Sequence, residues 1–201
     1  MSLPFIILGS GGHAKVLMQM VNKKDNLLGY VSPEPNDFFN LKGINYLGKD
    51  EEILCHNPNE VELLNGLGSL PEYNLRWELE NFFSERDYVF KTVIHPQSII
   101  ADDLMTDEGV QIMAGCIIQP GVKIKRGTII NTGAKIDHDC SIGRSCHIAP
   151  GVTLSGGVKI GDYVHVGTGA NVIQAISISD KAVISAGTTV KKDFKCWLDY
   201  F

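Results

Sequence analysis

The chain has 201 residues, 44% of them apolar and 20% charged, with a formal net charge of −5. That balance is ordinary for a soluble globular protein, and it excludes a basic surface built for nucleic acid or anionic membrane. No apolar run approaches the roughly 20 residues of a membrane span, and the first residues are expected to lead straight into a strand, with no signal peptide.

The first part of the chain alternates strand-like and helix-like segments. Residues 4–8 (PFIIL) read as a buried strand, followed by Gly9, Gly11, Gly12 and His13 and a helical stretch to about Lys24. Strand-like runs recur at 27–31, 44–47, 61–69 and 91–94, with a Pro/Asn loop at 33–36, a short acidic helix at 50–55 and a longer helix over about 71–86. Such alternation predicts a small Rossmann-like parallel sheet with helices packed on it. The glycine cluster after the first strand leaves room for backbone to approach a phosphate at a helix N-terminus. It lacks the full dinucleotide spacing, so a plain tight turn accounts for it equally well.

From residue 110 to residue 193 the chain reads in sixes. The third position of each unit is Ile, Leu or Val in all fourteen units, from Ile112 to Val190, with no insertion. The first position is small or β-branched. The residue before each unit is Gly at 109, 115, 121, 127, 133, 151, 157, 169 and 187, which marks a recurring turn. Two strand residues and a turn every six residues make neither a flat sheet nor a helix. They make a solenoid whose coils hydrogen-bond to one another about 4.8 Å apart. If three units close a coil, residues 18 apart stack in columns. Ser98 to Ile100 and Leu104 to Thr106 roughly extend the register upstream. Cys116, Cys140 and Cys146 fill the small first position, and the five cysteines show no CxxC spacing. They read as reduced thiols of a cytoplasmic protein.

The repeat resembles the hexapeptide-repeat acyltransferases, which fold as left-handed parallel β-helices. The whole chain is similar to the sugar acetyltransferases of bacterial sialic-acid O-acetylation and of the bacillosamine pathway. The likeness rests on Gly9 through Val16, Gly29-Tyr30-Val31, Val93-Ile94-His95-Pro96, Asn131 through Cys140, and His147 through Gly151. It implies a sugar-nucleotide-binding α/β domain at 1–95, a β-helix acyltransferase domain at 96–193 and a cap at 194–201 carrying Phe194, Trp197, Tyr200 and Phe201.

Six histidines are candidates for chemistry. His56 reads as solvated and His95, before Pro96, as structural. The unit AKIDHD places Asp139 at a turn position that is Gly in nine of the fourteen units, beside His138. A neutral imidazole suits the general base that acyl transfer needs, and a neighbouring carboxylate can orient the ring. An exposed turn histidine with a solubilising aspartate is the plain alternative. The resemblance implies that His138 is the base and that Asp139 raises its basicity. It also implies that His147 hydrogen-bonds the acetyl group and that Thr168 and Ala186 contact acetyl-CoA. Pro150, Thr168 and Ala186 are spaced by 18, in the same coils as His147 and His165. His165 has no family role and reads as an exposed strand residue. His147 and His165 could face each other across coils, but a third ligand for zinc is missing, so no metal is expected.

In the N-terminal domain the resemblance implies that Gly11, Gly12 and His13 hold the sugar nucleotide, with Leu67 against the base. Ser32 and Pro33 stand where many members carry acidic residues, and Ser32 is taken as a substrate contact. The expectation is therefore a cytoplasmic, acetyl-CoA-dependent N-acetyltransferase acting on the amino group of a nucleotide-activated amino-deoxy sugar, for surface glycans. O-acetylation of sialic or a related nonulosonic acid is the alternative reading. A non-catalytic sugar-nucleotide sensor or scaffold, which would need neither His138 nor Asp139, is the reading from another class. His138 and His147 fall on different faces of the coil, so a homotrimer with sites shared between subunits is expected.

Overall fold

The structure, a computed structural model, describes residues 3–21, 26–71 and 73–194. The chain divides into two compact units, Met1–Thr92 and Val93–Phe201.

The first unit is a five-stranded sheet with β1 (Phe5–Leu8), β2 (Leu27–Val31), β3 (Tyr46–Gly48), β4 (Glu62–Asn65) and β5 (Val89–Phe90) in the order β3-β2-β1-β4-β5. Every pairing is parallel. β1 is buried along its whole length, as its unbroken apolar run requires. Helices α1 (Gly12–Met20), α2 (Asp37–Leu41) and α3 (Leu75–Ser84) and a 3-10 helix (Asp50–Cys55) make the connections. The order reverses between β1 and β4. Ligands of open parallel sheets bind beyond the strand C-termini at such a switch point.

The second unit is a parallel β-helix, left-handed like the acyltransferases that it resembles. Its two-residue strands stack into three flat faces of six, six and five strands. Each strand pairs with the one 18 residues on, as in Ile129↔His147 and His147↔His165. The first face carries Val93–Ile94, Gln111–Ile112, Ile129–Ile130, His147–Ile148, His165–Val166 and Val183–Ile184. The second carries the strands from Ile99–Ile100 to Thr189–Val190, and the third those from Met105–Thr106 to Ser177–Ile178.

From Ile112 on, the second residue of each strand points inward, so Ile112, Ile130, Ile148, Val166 and Ile184 form one buried column and the other faces supply two more. Each such side chain contributes about 1.5–3 kcal/mol on burial, and the repetition makes stability a sum over coils. The first position of every unit but the last, where Thr188 is exposed, is also inside, at a corner with little room. This is why Cys116, Cys140 and Cys146 fit there, together with Val and Ala. Burial pushes the Cys116 thiol up to about 11 and the Cys146 thiol up to about 12. Both are protonated filler at neutral pH.

All fourteen turn residues have positive φ. Nine are glycines, and the others are Asp139, Ser145, Tyr163, Ala175 and Lys181. Asp139, at φ 58°, is therefore one of five departures from glycine rather than a lone exception.

Residues 91–94 are not one strand closing the N-terminal sheet. Val89–Phe90 closes it by pairing with β4. Val93–Ile94 pairs with Gln111–Ile112 in the 18-residue register, so the β-helix begins ahead of His95-Pro96. The two residues belong to the helix because the Val93 and His95 N–H groups donate to the Val110 and Ile112 carbonyls. At the other end Phe194 pairs with Ile178 and packs on the last coil's core. Trp197, Tyr200 and Phe201, expected to share in the cap, lie outside the described residues.

Candidate functional site

His138 and Asp139 occupy the turn between the second and third faces. Asp139 N–H donates to the Pro120 carbonyl one coil below, and the His138 carbonyl accepts from Gly157 one coil above. The backbone of the dyad is thus pinned from both sides. The left-handed turn aims the two side chains at each other, and His138 Nδ1 lies 2.8 Å from Asp139 Oδ2. A carboxylate accepts here, so the proton sits on Nδ1 and Nε2 keeps its lone pair. The hydrogen bond to Asp139, with the nearby charge of Asp137, raises the His138 pKa above its ordinary value. The pair is open to a reactant, since the side chains are 62% and 74% exposed.

Two residues that the sequence reading did not single out shape this site. A Cβ at Gly156 would fall 2.5 Å from His138 Nε2 and 2.6 Å from Cε1. The imidazole therefore occupies the space that a side chain at Gly156, one coil above, would fill. A Cβ at Gly121, one coil below, would meet Asp139 Oδ1 at 2.6 Å. Gly121 is a turn glycine for conformational reasons. Gly156 has no such reason, and its only sequence signal is its place 18 residues beyond His138.

His147 stands on the first face, stacked under His165, with ring centroids 4.9 Å apart and the planes at 88°. His165 is not the exposed strand residue expected of it. It is half-buried, its Nδ1 is enclosed without a partner, and burial lowers its pKa. The His147 ring shields it. Among the described residues no group of three or more His, Cys, Asp or Glu is arranged to hold a metal.

Thr168 and Ala186 lie in one column at the corner between the first and second faces. The ladder there runs Gly151 N–H to Thr132 O, Gly169 N–H to Pro150 O and Gly187 N–H to Thr168 O. Thr168 and Ala186 are exposed, which leaves this edge accessible. Within one chain, then, His138 is at one corner and the His147 edge at another, with the second face between them.

In the first unit, the loops after β1, β2 and β4 meet beyond the strand ends. Gly9 has φ 84°, and a Cβ there would lie 3.3 Å from Leu67. The Gly66 N–H donates to the Leu8 carbonyl at 2.8 Å, and Asn36 Nδ2 donates to the Ser10 carbonyl at 3.2 Å. Gly11 and Gly12 have open space around them at the start of α1, and a Cβ at Gly68 would reach His13. Gly9, Gly11, Gly12, His13 and Leu67 therefore come together at the switch point. Ser32 does not stand open beside them. It is 2% exposed, its N–H donates to Gly48, its hydroxyl to Glu34, and its carbonyl accepts from Tyr46. These bonds make it a brace of the loop after β2.

A buried pair missed by the sequence reading holds the loop after β4. Arg76, on α3, donates to the carbonyls of Asn65 and Leu67, and Asn65 Nδ2 donates to Glu80. Burial lowers the Arg76 pKa to about 10, which still leaves it charged at neutral pH. Its spacing from Glu80 reads as an ordinary exposed i,i+4 pair, so the sequence carried no sign that both were inside.

Residues 121–156 and 139–174 match the bacterial transferase hexapeptide (six repeats) family. PerB from Caulobacter crescentus, solved with CoA and GDP-perosamine, is 30% identical over 95% of this chain and 90% of its own, with a TM-score of 0.84. The chain belongs to the hexapeptide-repeat sugar acetyltransferases. It is accordingly an acyltransferase. A mutant perosamine N-acetyltransferase from the same organism is 29% identical over 95% of this chain and 90% of its own, with a TM-score of 0.85. The acetyltransferase domain of PglB from Neisseria gonorrhoeae FA1090, solved with acetyl coenzyme A, shares the fold at 23% identity, a TM-score of 0.82 and coverage of 95% and 92%. No curated protein sequence matches the chain. No helix among the described residues is long and apolar enough to cross a membrane.

Proposed function

We propose that this protein is an acetyl-CoA-dependent N-acetyltransferase whose acceptor is the amino group of a nucleotide-linked amino-deoxy sugar, acting in the cytoplasm in surface-glycan synthesis. The observation that carries the reading is the likeness over 95% of the chain to PerB, solved with CoA and GDP-perosamine. The dyad supplies the chemistry the reaction needs. His138 Nε2 removes a proton from the acceptor amine as its nitrogen attacks the thioester carbonyl. Asp139 holds the imidazolium that results. Collapse of the tetrahedral intermediate breaks the C–S bond, and the proton passes from His138 to the departing CoA sulfur. A hydrogen-bond donor at His147 steadies the carbonyl oxygen while charge develops on it.

The N-terminal unit takes the nucleotide at the loops around Gly11, Gly12, His13 and Leu67, where α1 offers backbone N–H groups to phosphate. Acetyl-CoA lies along the edge marked by His147, Thr168 and Ala186. The base and this edge occupy different corners of one β-helix, which supports a homotrimer in which neighbouring chains complete each site.

The test is a panel assay of thiol release from acetyl-CoA with GDP-perosamine, UDP-linked amino sugars and free sialic acids. Product from a nucleotide-linked amino sugar is expected. Product from a sialic acid alone would overturn the assignment, and nucleotide binding without turnover on any acceptor would favour a sensor.

A further inference from the structure

The loop after β4 is held from two sides. Arg76, 5% exposed on α3, sets one guanidinium nitrogen, Nη1, 3.0 Å from the Asn65 carbonyl and 2.6 Å from the Leu67 carbonyl. Asn65, also buried, accepts the Leu67 N–H on its Oδ1 at 3.2 Å. On the other side the Gly66 N–H donates to the Leu8 carbonyl. A Cβ at Gly66 would lie 2.6 Å from that oxygen and 2.8 Å from the Ala14 Cβ. Residues 65–67 are thus wedged between α3 and the end of β1, with Leu67 against Gly9. A buried ion adds little to stability, because desolvation offsets what its contacts return. Arg76 nevertheless stays charged, its pKa lowered by burial only to about 10. Its Nη2 is enclosed without a hydrogen-bond partner among the described residues, whereas a group selected for stability alone would have its donors satisfied. What Arg76 does achieve is a fixed place for three residues of loop.

We propose that Arg76 is a positioning residue for the acceptor, which forms the nucleotide pocket of the first unit before the ligand arrives. This rests on the proposed function, which places the nucleotide at this loop and at the glycine loop after β1. Leu67 has its N–H and carbonyl engaged inside the unit, so it meets the nucleotide with its half-buried side chain. A loop free to move would have to be ordered by the ligand, and binding would be weaker by that cost. Arg76 removes the cost in advance by joining both carbonyls through one charged nitrogen. It lies in the first unit, while the dyad and the acetyl-CoA edge lie in the second. Its effect is therefore confined to the acceptor.

The test uses the full-length chain, with GDP and UDP as probes in calorimetric titration. Arg76→Met is made together with Glu80→Gln, so that no lone charge is left inside. The Kd of the nucleotide that binds the wild type should rise about tenfold, the worth of one hydrogen bond to a charged group. The Kd of CoA, titrated in the same way, should not follow it. Arg76→Lys, which still presents a charged nitrogen to the two carbonyls, should recover most of the affinity. Hydrogen exchange on the wild type is a second test that needs no variant to fold: the Gly66 and Leu67 amides should be as protected without nucleotide as with it. Unchanged nucleotide affinity in the double variant, an equal rise in the Kd of CoA, or amides protected only once nucleotide is added would each overturn the role of Arg76. Binding of neither nucleotide to the wild type would overturn the placement of the nucleotide itself, and this inference with it.

Discussion

At the scale of single residues, the dyad makes a statement about pH. The Asp139 hydrogen bond, followed by the charge of Asp137, raises the His138 pKa. A general base works only when deprotonated. The rate should therefore rise with pH through the raised pKa and level off above it. Removing the carboxylate removes the largest cause of the shift, so Asp139→Asn should move the acidic limb of kcat/KM to lower pH. The plateau should fall as well, because the imidazolium formed during attack loses its partner. A pH profile of both proteins checks this, and an unmoved limb would separate the limb from His138. The same dyad was readable in the sequence as a carboxylate beside a histidine at a turn position. The five non-glycine turns, all with positive φ, show why the missing glycine alone was a weak signal. What distinguishes Asp139 is the partner it faces.

At the scale of elements, one coil serves as the floor on which another coil's side chain works. The His138 ring rests on Gly156, where an added Cβ would lie 2.5 Å from Nε2. Gly156→Ala should leave the coil's ladder intact, since the position has no positive φ to protect. It should push the imidazole off its site, and a misplacement of about 1 Å can cost about 10²-fold in rate. The expected outcome is an unchanged circular dichroism spectrum and melting profile with a kcat reduced to that degree. A full kcat would mean the ring has room to tilt without consequence. The repeat made the coils legible because each inward Ile, Leu or Val recurs every six residues, and burial at that position is common to every coil. The column arithmetic also placed Pro150, Thr168 and Ala186 together. Two things stayed out of reach. The buried Arg76 and Glu80 look like surface charges until α3 is docked on its sheet. Ser32 looks like a loop hydroxyl until Gly48, Glu34 and Tyr46 are seen to engage it.

At the scale of the whole molecule, the question is whether one chain holds a complete site. His138 lies at the corner between the second and third faces, in the ladder of Pro120 and Gly156. His147 lies on the first face, beside the corner ladder of Thr132, Pro150 and Thr168. If a neighbouring chain supplies the missing half, two inactive variants can repair each other. His138→Ala keeps a sound His147, and His147→Ala keeps a sound His138. Denatured together in equal amounts and refolded, they assort at random into closed rings. A site is whole where its base comes from the His147→Ala chain and its donor edge from the His138→Ala chain. That happens at about one site in four, so activity should return to about a quarter of wild type, while each variant refolded alone stays inactive. Mass measurement of the refolded oligomer and thiol release from acetyl-CoA read the two halves of the result. Mixed trimers with no recovered activity would place both histidines of each site in a single chain.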